Sequence, residues 1–345
     1  MQEMTLRIDV NKLRKNVLAF KEKTNRFLYA VVKADAYGHG AVAVVNALYQ
    51  VADAFAVALI SEAVAIKQVA VGKEILIFTP PTSEDDVVVA ANNGFTLTAT
   101  DLKSANLIVS TAKRYGLTID VEIKVNTGMN RYGVYGATLG KVCAILKKSG
   151  QVRVQGVYSH LYSLDNGLCE EQRLRFMGGV KVCRRYFPLV RAHLSSTYGV
   201  TLGKEYLFDG VRIGLGLYGY FPGGSSPLPI SPVMSGYATC VAGRKCLFGG
   251  VGYGEKREDL YGQPIAVLRG GYAEGLGLVA KDSGLKPPLV GNCCMDVCIS
   301  RSAVPAGRET LLFKNVAPLA SARNTSVYEV LCLLGLRASK EYIND

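Results

Sequence analysis

Lys33 ends a short apolar run, FLYAVVK (27–33), and ADAYGHG (34–40) follows at once. A lysine with apolar neighbours at the end of a buried strand is poorly solvated. That depresses its pKa and frees the amine to attack an aldehyde. Tyr37, Gly38, His39 and Gly40 add a phenol donor and backbone that can approach a ligand closely. Further along, SSTYG carries Ser196 and Thr197, and RIGLG carries Gly214 and Leu215. Hydroxyls and exposed amides of this kind suit a phosphate dianion. Taken singly, each group has a plainer reading: Lys33 as a lysine reaching for water, Ser196 and Thr197 as helix caps. Their common position at strand ends favours chemistry.

Those ends belong to a repeating pattern. Eight short apolar runs rich in β-branched and aromatic residues alternate with amphipathic stretches. They are FLYAVVK, AFAVAL (54–59), EILIFT (74–79), FTLTA (95–99), IDVEIK (119–124), VRVQGVYSHL (152–161), VRAHLS (190–195) and FDGVRIG (208–214). Runs this short and this apolar read as buried parallel strands. Ser61 is expected to cap a helix through Val71 with Gly72 as its stop, and Asp101 one running to Tyr115 and Gly116. Eight β/α units fit a closed (β/α)8 TIM barrel, whose strand C-termini face the active site and whose last two loops often bind phosphate. A doubly wound open sheet would satisfy the same periodicity. The texture changes at FPGGSSPLPISP (221–232), after which short strand-like runs with Gly turns predict a mainly-β C-terminal domain. The expected division is 1–230 and 231–345, with residues 1–10 a strand that joins the second domain. One late helix is expected over 327–336.

Composition narrows the function classes. Apolar residues make up 49% and charged residues 20% of 345, an ordinary globular balance. No apolar stretch is long enough for a membrane helix, and the first residues lack a signal-peptide core. Nine cysteines without paired zinc-type spacing read as reduced thiols, so a cytoplasmic location is expected. The net charge of +12 is dispersed, and with no tryptophan and no zinc-finger or RNP-type motif it does not point to nucleic acid.

With these elements placed, the motifs become specific. VVKADAYGHG resembles the cofactor-lysine motif of the alanine racemases. The likeness continues through KVNTGMNRYG (124–133), GVYSHL (156–161), HLSST (193–197), VRIGLGLYG (211–219), GGYAEG (270–275), CCMD (293–296) and YEV (328–330), all in family order. The resemblance implies a barrel followed by a β domain, a pyridoxal 5'-phosphate cofactor held as a Schiff base on Lys33, and a homodimer racemising a small amino acid. It implies that Lys33 is one acid/base and that Tyr272, from the second subunit, is the other. It gives the phosphate to Tyr37, Ser196, Thr197, Gly214, Leu215 and Tyr328, and the pyridine nitrogen to Arg212. His160 would lie against the ring. Arg131 and the backbone amide of Met295 would meet the substrate carboxylate, and Lys124 matches a lysine that is carbamylated in some members. Two bases on opposite faces are the economical way to remove an α-proton from one side and return it from the other. A tyrosine ordinarily titrates near ~10, so Tyr272 would need nearby positive charge to act as a base. An arginine at the pyridine nitrogen disfavours protonation there and weakens the electron sink, which limits leakage into transamination.

Four positions depart from the family pattern: Ser196 for Asn, Asn292 for Arg, Glu274 for Asp and Asn126 for Asp. None removes a proposed base. Tyr328 narrows the pocket and favours alanine over serine as substrate. Rival readings are the serine/alanine racemase domain of a membrane-bound glycopeptide-resistance protein, a decarboxylase of the same architecture, and a pyridoxal-phosphate carrier. The carriers lack the C-terminal domain that would supply Tyr272.

Overall fold

The computed structural model describes residues 4–248, 250–253, 260–278 and 283–344. It contains two compact units. One comprises Arg14–Ala34 and Val45–Ile230, the other Met1–Leu13, Asp35–Val44 and Ser231–Asp345. The chain opens with β1 (Thr5–Asp9), which belongs to the second of these.

The first unit is the expected closed barrel of eight parallel strands. These are β2 (Phe27–Val31), β3 (Ala54–Val57), β4 (Glu74–Ile77), β5 (Thr96–Ala99), β6 (Ile119–Lys124), β7 (Val152–Tyr158), β8 (Arg191–His193) and β9 (Gly210–Ile213). They pair in chain order, and β9 closes on β2 in the register Leu28↔Val211 and Tyr29↔Arg212. Continuous apolar runs form strands here because both faces are covered. AFAV of β3 is buried at every position, as is TLTA of β5. The helix Leu102–Tyr115 shows the matching pattern, burying Ala105, Ile108 and Ala112 on one stripe. Asp101 caps it as expected, accepting from the Ser104 amide at 2.7 Å, and Gly116 ends it at φ 63°.

Two local expectations are corrected. The helix after β3 spans Ile60–Ile66 with its cap at Leu59, so Ser61 lies inside it. The carboxylate of Glu62 sets this start, accepting from the amides of Ala58 at 2.7 Å and Leu59 at 3.0 Å. A charge-assisted bond to two amides outcompetes a serine hydroxyl. Lys33 does not end β2, which stops at Val31. It opens the turn that follows.

The second unit is built on a sheet of β10 (Met234–Lys245), β11 (Pro264–Arg269), β12 (Val297–Ser300), β13 (Glu309–Phe313) and β14 (Ser339–Ile343) together with β1. Its order is β12-β11-β10-β1-β14, with β13 also on β10. β1 runs antiparallel to β10 and parallel to β14. The late helix spans Val327–Leu334.

That helix ends against the segment 35–44 through direct backbone contact. A Cβ on Gly335 would lie 2.3 Å from the Cα of Gly38, and one on Gly38 would lie 2.3 Å from the Leu331 oxygen. Gly335 has φ −75°, so only space, and not backbone geometry, demands glycine there. Gly335→Ala should therefore cost about 1–3 kcal/mol by overpacking, read as a lower denaturant midpoint. An unchanged midpoint would contradict this close approach.

Candidate active site

The barrel unit gathers most of the expected site residues at its strand C-termini. Lys33 follows β2, Lys124 ends β6, His160 follows β7, Ser196 and Thr197 follow β8, and Arg212 lies in β9 with Gly214 and Leu215 just beyond. Arg212 is 3% exposed. Its Nη1 donates to Nδ1 of His193 and to the His193 carbonyl, both at 2.8 Å. Its Nη2 donates to the carbonyls of Ser159 and of Leu194, the latter at 3.1 Å. Burial pushes the guanidinium down from its usual range, yet an arginine keeps its proton in proteins.

This cation shapes its neighbours. Lys124 is buried, with its Nζ making only long bonds, 3.3 Å to the Ser159 hydroxyl and 3.4 Å to the Val125 carbonyl. Burial, then Arg212 and Arg131, drive its pKa well down, so the amine is held towards neutrality. His160 is also pushed well below the usual imidazole range, by desolvation and then by Arg212, Lys124, Arg131 and Lys33. Its ring is partly open to solvent, which tempers the desolvation, but Arg212, Arg131 and Lys33 all act on it in the same direction. Arg131 is exposed, and its guanidinium carbon lies 5.9 Å from the Tyr132 ring centroid. Lys124 Nζ and the Arg212 guanidinium carbon lie 5.1 and 5.0 Å from the centroid of the Tyr158 ring.

The loops after β8 and β9 meet. Thr197 is buried, and its Oγ1 accepts from the Gly216 amide at 3.0 Å, so its hydroxyl proton is free to be donated elsewhere. Ser196 is half-buried beside it, and Gly214 and Leu215 open the tight turn Leu215–Tyr218. A half-buried amine, a buried guanidinium and this hydroxyl-and-amide loop pair fit the aldehyde, pyridine nitrogen and phosphate of pyridoxal phosphate respectively.

The second unit holds the remaining residues in two places. The Tyr37 and Tyr328 rings lie 6.0 Å apart, and burial raises the pKa of both phenols, so each stays a proton donor. Elsewhere in this unit Tyr272, 36% exposed, opens a turn fastened to the bend at Met295 that precedes β12. The amides of Tyr272 and Ala273 donate to the carbonyls of Cys294 and Met295, each at 3.0 Å. A Cβ on Gly271 would lie 2.1 Å from the Cys294 oxygen. Glu274, one of the departures from the family pattern, has a structural use here. Its carboxylate accepts from the Gly271 amide at 2.7 Å and pairs with Arg337 at 2.8 Å, which fixes the turn carrying Tyr272.

Sequence reasoning gave no role to His193, Glu122 or Ser159. A signal was present: Glu122 and Lys124 interrupt an apolar strand at alternate positions, as do Arg191 and His193, which puts each pair on one face.

The turn that begins at Lys33 is left-handed. Ala34, Asp35, Ala36 and Tyr37 have φ of 52°, 51°, 55° and 54°, a conformation that costs L-residues about 1–2 kcal/mol each. Several bonds hold it. The Glu62 carboxylate accepts the Ala34 amide at 2.7 Å, and the Gly40 amide donates to the Asp35 carbonyl at 2.9 Å. The Ala41 amide donates to the Asp35 carboxylate at 2.7 Å. Because Ala34 is exposed, Ala34→Gly loses little packing and relieves this strain. We expect it to stabilise the protein by about 0.5–1 kcal/mol, the reverse of the usual effect, and a loss like that of Ala→Gly within a helix would contradict the assignment.

Comparison with known proteins agrees with this geometry. The family model for the alanine racemase N-terminal domain matches residues 8–222, and that for the alanine racemase C-terminal domain matches residues 234–342. An alanine racemase of Desulfovibrio desulfuricans is 30% identical over 362 residues, covering 97% of this chain and 97% of its own. One of Clostridium novyi is 30% identical over 372 residues, covering 98% and 95%. The biosynthetic alanine racemase structure from Pseudomonas aeruginosa superposes with a TM-score of 0.86 at 26% identity, covering all of both chains. With a buried cation, a lysine and a phosphate-suited loop pair at the barrel mouth, and both domains matched in order, this chain belongs to the alanine racemase family.

Proposed function

We propose that the protein is a pyridoxal-phosphate-dependent racemase interconverting L- and D-alanine, with Lys33 and Tyr272 as its two bases. The observation that carries this reading is the collection of Lys33, Lys124, His160, Thr197 and Arg212 at one end of the barrel, in a chain matched end to end by alanine racemases. When bound, the cofactor supplies the electron sink that acidifies the α-carbon of an attached amino acid.

The chain's own residues do the rest. Lys33 attaches the cofactor and takes or returns the α-proton on one face. Tyr272, contributed by a second copy of the chain in a homodimer, does so on the other. Ser196, Thr197, Gly214, Leu215, Tyr37 and Tyr328 hold the phosphate, and His160 lies neutral against the ring. Arg212 meets the pyridine nitrogen as a fixed cation and discourages its protonation. Arg131 and the Met295 amide take the substrate carboxylate. Lys124, whose amine is held towards neutrality, can condense with carbon dioxide to a carbamate and release a proton, which would give Arg131 an anionic partner. The Tyr328 phenol beside a small side chain favours alanine over serine. We place the enzyme in the cytoplasm as a source of D-alanine for peptidoglycan. All nine cysteines are free thiols, and no helix among the described residues is long and apolar enough to cross a membrane.

Loaded with pyridoxal phosphate, the protein should racemise L-alanine, and borohydride should fix the cofactor onto Lys33. Tyr272→Phe should slow turnover by about 10²–10⁴-fold while leaving the bound-cofactor absorbance intact. Wild-type rates in that variant would eliminate Tyr272 as a base. An absorbing but inactive wild type would favour the carrier, and carbon dioxide release the decarboxylase.

A further inference from the structure

One layer deeper in the barrel lies a set of buried polar side chains that the steps above do not use. Glu122, fully buried, is two residues before Lys124 on β6 and shares its face. Its Oε1 accepts from the Tyr29 hydroxyl at 2.8 Å. The Tyr29 hydroxyl oxygen in turn accepts from Arg191 Nη1 at 2.6 Å and lies 3.2 Å from Glu74 Oε1. The other carboxylate oxygen, Oε2, lies 2.8 Å from Nε2 of His193, with the ring tilted off the ideal hydrogen-bond line. At this tilt the contact is close without being a formed hydrogen bond, and neither atom has a hydrogen-bond partner among the described residues; both are buried, so each can be satisfied only by the other. The place for the carboxylate is opened by Gly156 on β7, where a Cβ would come within 2.3 Å of Oε1.

The far side of the ring decides the tautomer. A guanidinium can only donate, so Nδ1 of His193 must accept from Arg212 at 2.8 Å, and the proton of the neutral ring sits on Nε2. The ring is held in orientation between Tyr29 and Tyr158, stacked at 4.8 and 5.2 Å. We propose that Glu122 is a positioning residue for the racemase site: by accepting the Nε2 proton it keeps His193 in the one tautomer that can receive Arg212, and so fixes the guanidinium for the cofactor's pyridine nitrogen. Without that acceptor, a proton moved to Nδ1 would set N–H against N–H and turn Arg212 aside. Burial raises the Glu122 carboxyl to about 7 against the opposing pull of the Tyr29 hydroxyl, Arg191 and Arg212. A proton taken on the Tyr29 side still leaves Oε2 as acceptor.

The inference rests on the proposed role of Arg212, but its first measurement does not need the cofactor. Imidazole ¹⁵N spectra of the labelled protein, which has only three histidines, should show His193 protonated at Nε2 and bare at Nδ1. In Glu122→Leu that pattern should be lost. The loaded variant should turn over alanine about tenfold or more slowly at nearly unchanged KM, with more pyruvate formed per racemisation event. Glu122→Gln keeps an oxygen acceptor and should restore both the tautomer and the partition. A wild-type ring protonated at Nδ1 overturns the proposal even if the leucine variant fails to fold. So does a folded leucine variant with wild-type tautomer and partition, or a glutamine variant as impaired as leucine. Failure of the wild type to bind pyridoxal phosphate would instead sink the functional reading and leave the tautomer result standing.

Discussion

Burying a charge without an opposite charge beside it is expensive, and Arg212 is such a case. Among the described residues its guanidinium is met by three backbone carbonyls and one imidazole nitrogen, and by no carboxylate. Those acceptors satisfy its N–H groups but do not cancel its charge. The barrel mouth therefore carries a permanent positive field that no pH change in the working range removes. Burial first, and this field second, push Lys124, His160 and His193 well below their ordinary values, towards their neutral forms.

That response suits the proposed chemistry. A neutral imidazole can lie against a cofactor ring without adding charge, and an uncharged lysine amine is a nucleophile where a charged one is not. The residual field favours the anions that must enter, a phosphate and a carboxylate. Deeper in the barrel the same logic runs with the opposite sign. Glu74 and Glu122 are both pushed up to about 7 by burial, and Arg191 stands beside Tyr29 and Glu74 to limit the cost. The backbone around Lys33 is equally constrained. Four successive left-handed residues persist only because Glu62, Asp35 and their amide partners over-determine the turn.

Much of this was legible in the sequence, for identifiable reasons. Buried parallel strands are short, apolar and β-branched, so all eight runs could be seen; the barrel rule drew notice to Lys33, while Arg212 came only with the family resemblance. The Asp101 cap was legible because cap and stop lie in one local stretch. The start at Leu59 was not. The carboxylate that sets it, Glu62, also reaches the Ala34 amide, and a bond across 28 residues leaves no local pattern. The handedness of the Lys33 turn was hidden too, because Ala34, Asp35, Ala36 and Tyr37 have no intrinsic preference for positive φ. Glu122 and His193 were visible as polar intrusions in apolar strands, but which strand faces which is decided only by the closed barrel. Glu274 looked like a simple departure from the family pattern until its bond to Gly271 gave it a task.

Burial and a charge that cannot be removed together keep the neighbours of Arg212 neutral. The most direct test is a pH titration of the imidazole resonances of the folded wild-type protein. Burial, helped by Lys340, takes His39 down to about 4, and burial with the barrel field should hold His160 and His193 far below the ordinary value near ~6.5. No imidazole resonance should therefore move between pH 7.5 and about 5.5. A His160 or His193 signal titrating with a midpoint at or above that ordinary value would contradict the account.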